Sequence, residues 1–295
     1  MSTGVRMFEG TTVALITPFK DTGKIDFTVV RSLARHHVES GTNAILLAGC
    51  TGESFTLEDD ERIAILETVK DEIGNTIPVL LGTGASVTKT AVRRTGAAMS
   101  AGVDGALVIT PFGNKPSQHA LVEYFHEIAN IGLPIILYNV PGRTGTPIQT
   151  ETAVKLADHP NIVAIKEASG AMDAVSEILA KSDLTVLSGD DSLTVPMISI
   201  GAKGVISTSA NLLPSGFSAM VKAALDGDFI EAAALHLKMF PIMKALFIEG
   251  NPVPLKTAMA LVGMIPKPAL RAPLTAMTPS NFAKLTAALE DYGLI

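Results

Sequence analysis

One cysteine in 295 residues excludes an internal disulfide framework and points to a reducing compartment. Basic residues do not predominate. With 23 Lys+Arg against 29 Asp+Glu the formal net charge is −6, and a pI of about 5.5 argues against a nucleic-acid footprint. No window approaches the roughly 18 uninterrupted apolar residues that a membrane span needs. The start, Met1–Gly10, has neither an apolar h-region nor an Arg-rich amphipathic pattern, so no targeting segment is expected. A disordered chain is excluded as well, because 47% of the residues are hydrophobic and 18% charged. A soluble, cytoplasmic, globular protein with a sizeable core is expected.

What is present is a series of short apolar runs bounded by Gly, Pro or polar residues. They read as strands at Thr12–Thr17, Ala44–Ala48, Pro78–Gly82, Gly105–Ile109, Pro134–Tyr138, Ile162–Lys166, Leu184–Ser188 and Gly204–Ser207. Most are continuous in Val, Ile, Leu and Ala without clean alternation, as in parallel strands covered on both faces.

The intervals carry helix signals. Thr56-Leu-Glu-Asp-Asp-Glu-Arg reads as a threonine N-cap with acidic residues in the first turn, leading into Ile63, Leu66 and Val69 at helical spacing. Thr88–Ala101, Ser117–Ile131 and Thr150–Ala157 read similarly. A weak repeat, Ser40-Gly-Thr-Asn-Ala, Ala101-Gly-Val-Asp-Gly and Ile200-Gly-Ala-Lys-Gly, places a helix-ending Gly and a tight turn before a strand each time. Eight β-α units at intervals of about 20–35 residues match a (β/α)₈ TIM barrel, and an open doubly wound sheet is the rival architecture. From Pro214 the pattern is helical: Ser215–Leu225, Phe229–Phe247, Pro254–Val262 and Pro279–Tyr292, with Asn251-Pro-Val-Pro as a rigid break. The expected organisation is a barrel over 1–213 and a helical appendage over 214–295 that is not an independent domain.

Chemistry in such a barrel sits at the C-terminal ends of the strands. Lys166, in Ile162-Val-Ala-Ile-Lys-Glu, is the sharpest signal there, because an ammonium in an apolar strand is costly to bury. The plain reading is an ion pair with Glu167 or a head group reaching solvent. The catalytic reading is a lysine whose pKa falls from about 10.4 toward 7–8, freeing an amine to form a Schiff base with a ketone. Tyr138 ends the preceding strand and would neighbour it. Arg143, on a loop stiffened by Pro141, is either a solvated arginine or a bidentate grip for a carboxylate. Thr51, between Gly-Cys and Gly, is either an N-capping or turn threonine or part of a cup for a small carboxylate.

Other candidates fail. Gly82-Thr-Gly-Ala-Ser-Val lacks the third Gly of a dinucleotide loop, and Ser86-Val-Thr-Lys89 lacks the companions of a nucleophile motif. His119 and His126 read as a helix-surface stripe without zinc spacing, and His36-His37 as helix surface. Glu58–Glu61 reads as a helix start, and Asp190-Asp191 as a loop pair open to a cation contact.

Taken together, Gly49-Cys-Thr-Gly-Glu-Ser, Tyr138-Asn-Val-Pro-Gly-Arg-Thr-Gly, Ile165-Lys-Glu-Ala-Ser-Gly and Ser188-Gly-Asp-Asp resemble the dihydrodipicolinate synthase / N-acetylneuraminate lyase family. Asn251-Pro-Val-Pro-Leu-Lys and Leu270-Arg-Ala-Pro-Leu extend the likeness into the C-terminal helices. The resemblance implies a (β/α)₈ barrel, usually a homotetramer, that joins pyruvate to an aldehyde through a lysine Schiff base, with no cofactor or catalytic metal. The arginine loop favours L-aspartate 4-semialdehyde as the aldehyde and 4-hydroxy-tetrahydrodipicolinate, on the route to diaminopimelate and lysine, as the product. By matched position Lys166 would form the Schiff base and Tyr138 would shuttle protons. Thr51 and Ile206 would hold the pyruvate carboxylate, Arg143 would bind the semialdehyde carboxylate, and Gly189 would line the pocket.

Two positions depart from the family pattern. The proton relay's threonine is Cys50 here, and the tyrosine that a neighbouring subunit lends to the relay is replaced by Gly113. A thiol is a poor donor and glycine has no side chain to donate. These departures keep two alternatives open: a pyruvate-dependent 2-keto-3-deoxy sugar-acid aldolase or lyase, and a keto-acid-binding barrel with weak turnover. At the places where lysine-inhibited relatives bind free lysine, this chain has Phe55, Asp59, Arg62, Ser86, Thr90 and Phe112, so weak or absent lysine inhibition is expected. The mean hydropathy of +0.36 implies apolar surface hidden by oligomerisation.

Overall fold

The computed structural model describes residues 8–295. The stretch 1–7, which includes most of the segment read for a targeting signal and the start of the 1–213 unit, lies outside the described residues. Among the described residues eight strands form: β1 (Gly10–Ala14), β2 (Ala44–Leu47), β3 (Val79–Gly82), β4 (Gly105–Ile109), β5 (Ile135–Asn139), β6 (Ile162–Glu167), β7 (Thr185–Ser188) and β8 (Gly204–Ser207). Each pairs in parallel with the next, and β8 pairs with β1 to close the barrel. The open doubly wound sheet is thereby excluded.

The strands are apolar on both faces because both faces are buried. Ala14, Leu46, Leu80, Ile136, Ala164, Leu187 and Ile206 fill the barrel interior with Tyr138. Their neighbours Val13, Ile45, Leu81, Leu137, Ile165 and Val186 belong to the larger core between barrel and helices. Phe8 packs into the interior cluster, and a β-carbon on Gly105 would lie 2.9 Å from its ring. The closing seam also depends on small residues. Gly10 faces Gly204 in the register, and a β-carbon on Gly204 would lie 2.7 Å from the Gly10 nitrogen.

Helices follow each strand on the outside: α1 (Phe27–Glu39), α2 (Asp59–Ile73), α3 (Thr88–Ser100), α4 (Gln118–Ala129), the one-turn α5 (Pro141–Thr144), α6 (Thr150–Leu156), α7 (Met172–Lys181), α8 (Thr194–Ser199) and α9 (Pro214–Leu225). Beyond them come α10 (Phe229–Ala245), α11 (Val253–Leu261) and α12 (Pro279–Tyr292). α9 packs on β1 and on α10, and α12 packs on α10 and α11. The repeated turn is real: Gly41, Gly102 and Gly201 follow helices at φ of 77°, 77° and 117°. In two of the three turns the residue two positions after the glycine hooks the preceding strand, Asn43 Oδ1 accepting from Thr11 N and Asp104 Oδ2 from Val79 N, both at 2.8 Å.

Several local expectations are corrected. β1 starts at Gly10, two residues earlier than read, and ends at Ala14, three earlier, where Asn211 takes the chain out of the ladder: its side chain accepts from Ile16 N and donates to Ala14 O. Thr56 does not cap α2, since its hydroxyl bonds back to Glu53 O; Glu58 is the N-cap, in a reciprocal capping box with Glu61. Pro141 opens a helical turn instead of stiffening a loop. His37 is fully buried, its Nδ1 3.1 Å from Thr42 Oγ1, and burial lowers its pKa to about 3. Asp191 is buried as well, and its carboxylate accepts from Ser209 N and Oγ, tying the β7 and β8 loops together. No helix among the described residues is long and apolar enough to cross a membrane.

Candidate active site

The register of β5 and β6 places Tyr138 directly opposite Lys166. Side chains alternate along a strand, so Lys166 enters the barrel interior and Glu167 leaves it. Glu167 instead accepts from Asn139 Nδ2 at 2.8 Å and from Ser169 N at 2.7 Å. That arrangement rules out a Lys166–Glu167 ion pair, and a lysine 5% exposed does not reach solvent either. Its Nζ lies 4.5 Å from the centroid of the Tyr138 ring.

Electrostatics follow from this burial. Desolvation lowers the Lys166 ammonium from its usual 10.5 to about 8, aided by Arg143 and opposed by Cys50, Asp191 and Asp190. Burial pushes the Tyr138 phenol well above its usual value, and the neighbouring Cys50 thiol adds to the shift while Arg143 opposes it. At neutral pH the pair is thus a partly deprotonated amine beside a fully protonated phenol, which is a nucleophile beside a proton donor.

The other predicted residues fall around this pair. Ile206, with no exposure, lies in the same interior cluster as Tyr138. Gly189 follows β7, and a β-carbon there would sit 3.1 Å from Lys166 Cε and 2.5 Å from Ala168 Cβ, so glycine leaves the space the lysine needs. Cys50 is half-buried against the cluster and lines, with Tyr138, an open cleft of about 200 Å³ that passes Phe55 and Phe112 to reach Arg62. Arg143 is exposed on α5, yet its charge reaches both Lys166 and Tyr138. Gly113 does not join the group. It is exposed on the β4–α4 loop at φ +88°, with open space where a side chain would start.

Thr51 is 3% exposed and does not serve as a helix cap. Its Oγ1 lies 3.1 Å from Thr208 Oγ1 and accepts from Asn251 Nδ2 at 2.9 Å. Two residues on, Glu53 adopts φ +54° and forms a buried ion pair with Lys256 of α11, while its other oxygen accepts from Arg271 N at 3.1 Å. Desolvation lowers Lys256 to about 8, opposed by Glu53. Sequence reasoning missed Asn251, Thr208 and the Lys256–Glu53 pair. The available signal was Lys256 itself, a lysine in the apolar helix Val-Pro-Leu-Lys-Thr-Ala-Met-Ala-Leu, the same anomaly that exposed Lys166.

A closed β/α barrel with an interior lysine beside a tyrosine at the C-terminal end of its strands defines a lysine-dependent, aldolase-type enzyme. The particular lineage is equally clear: residues 7–292 match the dihydrodipicolinate synthetase family, and the chain belongs to it. It is 46% identical over 292 residues to the 4-hydroxy-tetrahydrodipicolinate synthase of Geotalea uraniireducens, covering 98% of this chain and 100% of that one. The crystal structure of dihydrodipicolinate synthase from Aquifex aeolicus superposes with a TM-score of 0.95 at 45% identity, covering 97% of this chain and 99% of that one. The chloride-inhibited synthase from Acinetobacter baumannii, complexed with pyruvate, has a TM-score of 0.95 at 38% identity, with coverage of 97% and 99%.

Proposed function

We propose that this protein condenses pyruvate with L-aspartate 4-semialdehyde to give 4-hydroxy-tetrahydrodipicolinate, the reaction for which its relatives are named. The observation that carries this reading is the buried Lys166 with its lowered pKa, in register with Tyr138. The neutral amine attacks the pyruvate ketone, and loss of one water gives a protonated imine. That imine is itself the electron sink, so a methyl proton leaves and an enamine forms without any cofactor. The enamine carbon attacks the aldehyde, and the semialdehyde's own amino group then displaces Lys166 and closes the ring. Tyr138, held protonated, delivers its proton to the departing hydroxyl, takes the methyl proton as the enamine forms, and passes that proton to the new alkoxide.

The remaining roles are carried over from the family by matched position. Thr51 and the Ile206 backbone hold the pyruvate carboxylate, Arg143 receives the semialdehyde carboxylate at the rim, and Gly189 leaves room for Lys166. Cys50 occupies the relay position beside Tyr138. That half-buried thiol, with Gly113 offering no donor, is the observation that favours a second reading, a sugar-acid aldehyde as acceptor; Arg143 opposes it.

The same reading includes a cytoplasmic homotetramer. A free thiol suits a reducing compartment. A dimer of dimers needs two isologous interfaces, and two apolar faces are exposed: Ile230, Leu237 and Phe240 along α10, and Phe55 with Val87 near the cleft. The C-terminal helices, tied to the barrel through buried polar contacts, fold with it as one unit.

The test is a coupled reductase assay with pyruvate and the semialdehyde, with borohydride trapping of pyruvate on the same enzyme. Turnover, together with trapping abolished by Lys166→Ala, supports the reading. Trapping without turnover rejects the acceptor, and trapping that persists in Lys166→Ala rejects the lysine.

A further inference from the structure

The cradle assigned to the pyruvate carboxylate is completed by a side chain from outside the barrel. Asn251 lies just before α11, buried to 8% exposure. Its Nδ2 donates to Thr51 Oγ1 at 2.9 Å and, more weakly, to Thr208 Oγ1 at 3.4 Å, while the two hydroxyls are 3.1 Å apart. Among the described residues its Oδ1 is buried without a hydrogen-bond partner.

Counting protons gives this cluster a direction. An amide NH₂ brings two donors and each threonine hydroxyl brings one, whereas each hydroxyl oxygen also accepts. Three of those four protons are used inside the cluster: two from Asn251 and one in the Thr51–Thr208 bond. One hydroxyl proton is left over, at the place where a carboxylate would accept it. If the amide were reversed, Oδ1 would accept from the hydroxyls and consume that proton. Leaving Oδ1 unpaired costs about 1–3 kcal/mol, and the orientation that costs this is the one that presents a donor to an anion.

We propose that Asn251 is a positioning residue for pyruvate, acting through Thr51 and Thr208 to keep a hydroxyl proton aimed at the keto-acid carboxylate. The inference rests on the reading of Thr51 as part of the carboxylate cradle. It also gives the C-terminal helices a part in substrate binding, for the same loop is gripped again at Glu53 by Lys256 and Arg271.

Borohydride trapping tests this with two ligands that differ in the carboxylate, pyruvate and methyl pyruvate. Asn251→Ala should raise the pyruvate concentration for half-maximal trapping about tenfold, the low end for a hydrogen bond to a charged group. Asn251→Asp should raise it further, because a carboxylate there accepts from both hydroxyls and repels the ligand. Trapping of methyl pyruvate should stay unchanged in both variants, which also shows that the barrel is folded. Equal losses with acid and ester would overturn the proposal in favour of a structural role, as would unchanged pyruvate binding in both variants. Thr51→Ala separates the premise from the inference. If it leaves pyruvate trapping intact, the cradle itself is wrong; if it impairs trapping and Asn251→Ala does not, the inference about Asn251 falls.

Discussion

Lys166 and Tyr138 face each other across adjacent parallel strands, with the ammonium nitrogen 4.5 Å from the centre of the phenol ring. Among the described residues neither group has an ion-pair partner, so burial dominates both titrations, and it moves them in opposite directions: the amine toward neutrality, the phenol further into its protonated form.

Schiff-base formation should therefore follow the lysine. At pH 7 an amine with a pKa of about 8 is roughly a tenth neutral, against about 0.03% for an unperturbed one. The rate of pyruvate trapping should rise with pH and level off above about 8. Stopped borohydride assays across pH 6–10 would show this; a limb that keeps rising toward 10.5 means the amine is not desolvated.

Proton delivery should be limited by the thiol at position 50. Cys50→Thr restores a competent hydroxyl beside Tyr138 and should raise kcat for the condensation by up to about tenfold, leaving the pyruvate trapping curve in place. Gly113→Tyr should not help without cost, because φ of +88° strains any side-chain-bearing residue by about 1–3 kcal/mol. An unchanged kcat in Cys50→Thr would show that the relay does not pass through position 50.

The buried pair of Lys256 and Glu53 should be unforgiving of single changes. Lys256→Met leaves a carboxylate uncompensated in the interior and should destabilise the fold by about 3–5 kcal/mol. Adding Glu53→Gln should recover much of that loss, because the charge left behind is removed. Urea unfolding of the wild type, the single variant and the double variant decides it; a single variant within about 1 kcal/mol of wild type would mean the pair is not desolvated.

Free lysine should inhibit weakly or not at all. Asp59, the acid placed to receive an ammonium there, is already held by Arg94 at 2.6 Å and Arg93 at 2.5 Å. Arg62 donates to Gly82 O at 3.0 Å and to Ser54 O, adding positive charge to the cleft wall. Phe55 and Phe112 line the cleft, stacked edge to face with ring centroids 5.0 Å apart. Initial rates at increasing lysine test the point, and submillimolar inhibition would overturn it.

The exposed face of α10 should hold subunits together. Leu237, 69% exposed, is the position to charge: Leu237→Asp should halve the sedimenting mass while leaving pyruvate trapping intact. A wild-type monomer, or a variant that keeps the full mass, places the contact elsewhere.

Much of this protein was legible in its residues. Strands buried on both faces must be apolar throughout, so eight such runs with helical intervals spelled out the barrel, and a lysine in one of them announced itself by its cost. Gly41, Gly102 and Gly201 marked the repeat because a left-handed turn leaves few other choices. Three things were decided by tertiary structure. Strand alternation and register, rather than adjacency in sequence, turned Lys166 toward Tyr138 and Glu167 toward Asn139. His37 became core and His36 surface because one helix face packs inward, a difference invisible in two identical neighbours. The coupling of the Thr51 loop to Asn251, Lys256 and Arg271 joins segments about 200 residues apart, and no local pattern encodes such a contact. Periodicity records which faces are buried; only the closed barrel determines which polar groups meet inside it.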